Sequence, residues 1–175
     1  DSYELRNPRV IFQSLPDDGK AKKSMMRSIY NVKNSILSNF ANVQARVPAV
    51  CDSVSVSFQR QSREQSTPFS NYQCEEPRAL EEIQFLFNDS TNEFISYVID
   101  DQTEMLDRYI ESFNDTGHNR ISGSKYKDNR SFGVGLSFNQ PVDLSNQKFS
   151  LQVKSGASNV IPYNCYMYFH SILSM

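Results

Sequence analysis

The amino-acid sequence predicts an all-β chain, an antiparallel β-sandwich with one short helix near residues 102–113. Three observations carry that prediction. From Ser131 to Met175 large apolar residues fall at every second position: Phe132, Val134, Leu136 and Phe138, then Phe149, Leu151 and Val153, then Tyr163, Cys165, Met167 and Phe169. Successive strand side chains point to opposite faces, so each run can bury one face of a sheet. The same period recurs in Val54, Val56 and Phe58, with Ser53, Ser55 and Ser57 between. Only one stretch has a plain helical face, and strands separated by turns around a single helix favour a sandwich over a parallel α/β sheet.

Taken in order, Val10, Ile11 and Phe12 make a short apolar segment that the turn-forming Pro16-Asp17-Asp18-Gly19 ends. The segment over 20–43 is open in type. Met25, Ile29, Val32, Ile36 and Phe40 recur at helical spacing and make Ser24 to Phe40 look more helical than a β-sandwich needs, yet Ser24, Ser28, Asn31, Asn34, Ser35, Ser38 and Asn39 are indifferent helix formers. From Val47 the pattern is β, and Gln59 to Cys74, polar and broken by Pro68, reads as a long loop. After Pro77 comes a strand, Ile83 to Phe87, then turn chemistry in Asn88-Asp89-Ser90 and a second apolar run from Phe94 to Ile99. Asp101 followed by Glu104 resembles a capping box. Met105, Leu106, Tyr109, Ile110 and Phe113 then trace one helical face that stops near Gly117. Asn114 to Arg130 reads as a surface loop before the closing strands.

At 175 residues the chain is expected to form a single domain, 1–175, that buries about two thirds of the surface its unfolded form exposes. A formal charge of −2 leaves no broad positive field for nucleic-acid phosphates, and the local basic run Lys20, Lys22, Lys23 and Arg27 reads as solvated surface, with no specific nucleic-acid site. The longest apolar run, Cys165 to Phe169, is far short of the roughly 20 residues a spanning helix requires, so no membrane span is expected. The chain opens on Asp1 without a signal-like segment and reads as a portion of something longer. Its three cysteines, Cys51, Cys74 and Cys165, are odd in number and not closely spaced, which leans towards a reducing compartment; Cys51 and Cys165 are expected in the core.

Reactive chemistry is sparse in the sequence. His118 falls in a loop and His170 on the last strand, no Cys or His spacing matches a structural zinc site, and no nucleophile elbow marks Ser137 or Ser171. Neither a catalytic residue, a metal site nor a cofactor is assigned. The acidic pairs Glu75-Glu76, Glu81-Glu82 and Asp100-Asp101 point to opposite faces if extended, and helix capping accounts better for the last. Gly133-Val134-Gly135 lacks the third glycine of a dinucleotide fold and reads as tight backbone packing. The glycosylation-type triplets at Asn88, Asn114 and Asn129 match at a frequency that chance explains. On the final strand Tyr166, Tyr168 and His170 oppose the Tyr163, Cys165, Met167 and Phe169 face. A strand aromatic on both sides is buried on both, between layers or against a neighbouring subunit, which makes these three residues candidate assembly contacts.

The order of elements resembles that of one family. Ile83-Gln84-Phe85-Leu86-Phe87, the helix Glu104 to Phe113, Ser131-Phe132-Gly133-Val134-Gly135, Pro141-Val142-Asp143-Leu144-Ser145 and the closing Pro162-Tyr163-Asn164-Cys165-Tyr166-Met167-Tyr168 resemble the C-terminal part of double jelly-roll major capsid proteins. These belong to double-stranded DNA viruses of the adenovirus and tectivirus lineage, including Polinton-like viruses and virophages. The resemblance covers about Leu80 to Met175. It implies an eight-stranded jelly roll without enzymatic activity, which associates with itself as a trimer and with other capsid proteins, is assembled in the host cell and resides in the virion. The chain holds one such sandwich where the family has two, so a domain of a larger protein, a cleaved half and a single jelly-roll minor protein all stay open. Two other classes stand beside this reading: a β-sandwich carbohydrate-binding module whose exposed tyrosines stack on sugar rings, and a small hydrolase with His118 or His170 beside a serine and a carboxylate.

Overall fold

The computed structural model describes residues 25–64, 73–88, 98–99, 101–113, 123–127, 131–157 and 160–174. Among them the strands are β1 (Met25–Ile36), β2 (Phe40–Ala45), β3 (Val50–Arg60), β4 (Leu80–Phe87), β5 (Val98–Ile99), β6 (Gly133–Asp143), β7 (Phe149–Ser155) and β8 (Tyr163–Ser174). The helices are α1 (Gln61–Glu64), α2 (Gln102–Glu111) and α3 (Gly123–Lys127). The strands form two four-stranded sheets, ordered β1-β8-β3-β6 and β2-β7-β4-β5. All their pairings are antiparallel: β1 with β8, β2 with β7, β3 with β6 and β4 with β5, while β3–β8 and β4–β7 complete the sheets. A chain paired first with last and fourth with fifth is one long hairpin, doubled back between β4 and β5 and wrapped so that its two halves share both sheets.

The period-two code places the core where the sequence expects it. Val54, Val56 and Phe58 of β3, Val134, Leu136 and Phe138 of β6, and Tyr163, Cys165, Met167 and Phe169 of β8 all face inward. They meet Val43 and Ala45 of β2, Ile83, Phe85 and Phe87 of β4, and Phe149, Leu151 and Val153 of β7. Phe149 ties the layers together. Its ring packs edge-on against Phe169 of the opposite sheet at 5.2 Å and against Phe87 at 5.2 Å, and burying a side chain of this kind is worth about 1.5–3 kcal/mol.

The segment of open type is β-structure. β1 pairs with β8 over its whole length without a register break. The helical spacing misleads because two of its members, Ile29 and Phe40, are 61% and 57% exposed rather than part of a buried stripe. Tertiary pairing overrides a weak local preference in a Ser- and Asn-rich stretch. The expected helix is α2, which starts where the sequence places it: Asp101 caps it by accepting from the backbone N–H groups of Thr103 at 2.7 Å and Glu104 at 3.1 Å. It ends at Glu111, ahead of the Gly117 signal, with the Ser112 N–H returning to the Arg108 carbonyl at 3.0 Å. Besides this one expected helix there are α1 and α3, of four and five residues, too short to carry a periodic pattern. Tyr126 of α3 nevertheless packs on Phe132 and donates to the Gly133 carbonyl at 2.7 Å. Of the Phe94 to Ile99 run only Val98 and Ile99 are described, as β5; the Val10 segment, Lys20 to Lys23 and His118 lie outside the described residues.

Candidate functional site

Outward residues of the β1-β8-β3-β6 sheet stand in rows set by the strand register. Ile29 lies beside His170 and Ser53, Asn31 beside Tyr168 and Ser55, and Lys33 beside Tyr166 and Ser57. The three candidate contact residues of β8 thus share one face with the serines of β3, and two helices divide that face.

The half over β3 and β6 is closed by α2, and glycines admit it. A Cβ on Gly133 would run into the Tyr109 ring, and one on Gly135 would overlap the Ser112 side chain and lie 2.9 Å from the Arg108 carbonyl oxygen. Their role is therefore more specific than packing within a sheet: they let a helix lie against β6. Ser53 Oγ donates to the Ser112 carbonyl at 2.6 Å, which fastens the helix end to β3. His170 sits under this end. Its Nε2 is 3.1 Å from Ser55 Oγ, and its ring meets Phe113 edge-on at 5.8 Å. Ser55 is 2% and His170 8% exposed, so this serine–histidine pair is enclosed by the protein's own packing, with Phe113 against the imidazole ring. The arrangement suits a satisfied core histidine.

Towards β1 the face opens. Tyr168 is half-buried, and burial pushes its phenol pKa up against a hydrogen bond with Ser57. Tyr166, also half-buried, donates to Gln59 Oε1 at 3.4 Å, and the Lys33 ammonium lies 5.7 Å from the centre of its ring. Lys33 is ion-paired with Glu64 of α1, which also accepts from Asn164 Nδ2 at 3.0 Å. Ile29, Asn31 and Ser35 of β1 are exposed beside them. Tyr166 and Tyr168 consequently offer ring surface on the molecule's exterior, whereas His170 is spent on internal packing.

One member of each acidic pair has a structural role, and Asp100 lies outside the described residues. Glu75, 5% exposed, is held by Arg60 Nε at 2.6 Å and by the Arg63 guanidinium, and its N–H donates to the Phe58 carbonyl at 2.8 Å. Sequence spacing could not find this trio, because Glu75 meets Arg60 and Arg63 only in the fold, where it lies against the end of β3, and β3 and α1 reach into the stretch from Gln59 that reads as a loop. Glu81 pairs with Lys154 across β4 and β7 at 3.1 Å, and Asp101 caps α2. Among the described residues no three His, Cys, Asp or Glu side chains group as metal ligands, and no helix is long and apolar enough to cross a membrane. No protein-family model matches this sequence, and no curated protein matches it either.

Proposed function

We propose that the chain is a structural, non-enzymatic jelly-roll component of a viral capsid, which works by associating with copies of itself, as a trimer, and with other capsid proteins, and which resides in the virion. The observation that carries this reading is the strand pairing, first with last through fourth with fifth, in sheets β1-β8-β3-β6 and β2-β7-β4-β5. Eight antiparallel strands interleaved in two sheets is the order of a jelly roll, an architecture used by viral capsid domains and by lectins. A sequence resemblance over Leu80 to Met175 inclines the choice towards capsids.

The chemistry of the outer face supports the same choice. Large rigid rings at Tyr166 and Tyr168, flanked by exposed Ile29 and Asn31, supply contact area with little side-chain entropy to lose and without a strong charge to repel a like copy. Sizing by light scattering over a concentration series tests the reading. A capsid component gives bodies of three or more 20.1 kDa chains; a monomer at every concentration that binds members of a glycan array favours the carbohydrate module instead.

A further inference from the structure

A sandwich has four edge strands, each a row of unpaired backbone N–H and C=O groups that can template another strand unless it is blunted. Among the described residues three of the four are shorter than β1 or interrupted. β5 is described over two residues and β2 over six; β6 contains Pro141, which has no N–H to offer, and α2 lies over its outer side. The fourth, β1, is twelve residues long, contains neither proline nor glycine, and keeps unbroken register with β8, so no bulge twists it away. Among the described residues nothing pairs with its free side. A lysine often guards such an edge, but Lys33 leans inward, over the Tyr166 ring of β8 and into its ion pair with Glu64. Ile29 and Tyr30, 61% and 36% exposed, are left flanking the open backbone.

We propose that the free edge of β1 pairs antiparallel with β1 of a second copy about a two-fold axis, giving one eight-stranded sheet in the order β6-β3-β8-β1-β1-β8-β3-β6. The occupant is a second copy because the segment that offers the edge is itself an uncapped strand: antiparallel self-pairing satisfies both rows of backbone groups with one surface, as an isologous contact requires. The magnitude is sufficient. Two strands of this length pair over about 40 Å and form about 12 backbone hydrogen bonds, against about 10 in an interface of standard size. This contact deepens the assembly reading and rests on it, as the two-fold junction through which capsid units are joined.

The test uses the full chain and two readouts. In the double variant Ile29→Lys with Asn31→Lys, both at exposed positions, like charges face each other across the axis; self-association weakens about tenfold or more, while the thermal midpoint and circular dichroism of the dilute protein stay those of the wild type. In the wild type, the alternate β1 amides directed away from β8 slow their hydrogen exchange as concentration rises and lose that protection on dilution. An assembled wild type whose edge amides exchange freely, or a double variant that assembles like the wild type, overturns the edge contact and leaves the capsid reading standing. A wild type that is monomeric at every concentration overturns both.

Discussion

Gly135 shows how much an absent side chain decides. With a Cβ there, the Ser112 side chain and the Arg108 carbonyl would both have to retreat, and the latter is helix backbone that can move only if α2 lifts from β6. Gly135→Ala is therefore expected to destabilise by about 1–3 kcal/mol, the cost of overpacking a well-filled contact. Gly156 is the control, since its added Cβ would meet only the end of the exposed Glu81 side chain. Urea midpoints should fall clearly for Gly135→Ala and little for Gly156→Ala; equal losses would mean that α2 is not seated as described. The buried thiols give a second residue-scale expectation. Burial, reinforced by the Asp52 and Asp143 carboxylates, pushes Cys51 from an ordinary 9.0 up to about 12, and burial drives Cys165 in the same direction. A pKa raised in the folded state gives stability that is whole below the unfolded value and lost above it. Stability should thus decline from pH 9 towards pH 12 by about 1.4 kcal/mol per pH unit for each such thiol. Urea midpoints at pH 8 and pH 10.5 check this, and a Cys51→Ser variant should flatten part of the decline.

Among the elements, α2 rests on one carboxylate. The backbone N–H groups of Glu104 and Thr103 hold the Asp101 carboxyl below its ordinary range, and Asp101→Ala should lower the urea midpoint, as loss of a cap does. With its folded pKa depressed, that contribution is present above the ordinary carboxylate value and is lost as pH falls through the folded one. Chemical denaturation of Asp101→Ala and wild type at pH 7 should show the difference, and at low pH the two should converge. This cap was legible because capping is local: Asp101 and Glu104 stand three residues apart. The alternating runs of β3, β4, β6, β7 and β8 were legible for the same kind of reason, each strand carrying its own two-faced code. β1 was not, since on its inward side Ser28 and Asn34 interrupt Tyr30, Val32 and Ile36, a period-two signal that the helical spacing of Met25, Ile29, Val32 and Ile36 competes with, and the pairing with β8 decides between them. Nor was the seating of α2, because nothing in Gly133-Val134-Gly135 names Tyr109 and Ser112 as the groups that need the room.

At the scale of the molecule, the aromatic residues of β8 divide by side. Tyr163 and Phe169 close the core between the sheets, His170 is sealed under Phe113, and Tyr166 and Tyr168 remain half-open beside the long edge of β1. The sequence could mark the outward trio as two-sided but not divide it, since His170 is covered by a helix more than 50 residues away in the chain. Among the described residues this leaves a buried two-sheet core with one long strand edge unpaired and an aromatic face next to it, the distribution on which the proposed lattice contacts rest. Negative-stain micrographs of the purified chain test that claim most directly. Uniform bodies of at least three copies are expected; fields in which no particle exceeds a single 20.1 kDa chain, at any concentration, would contradict it.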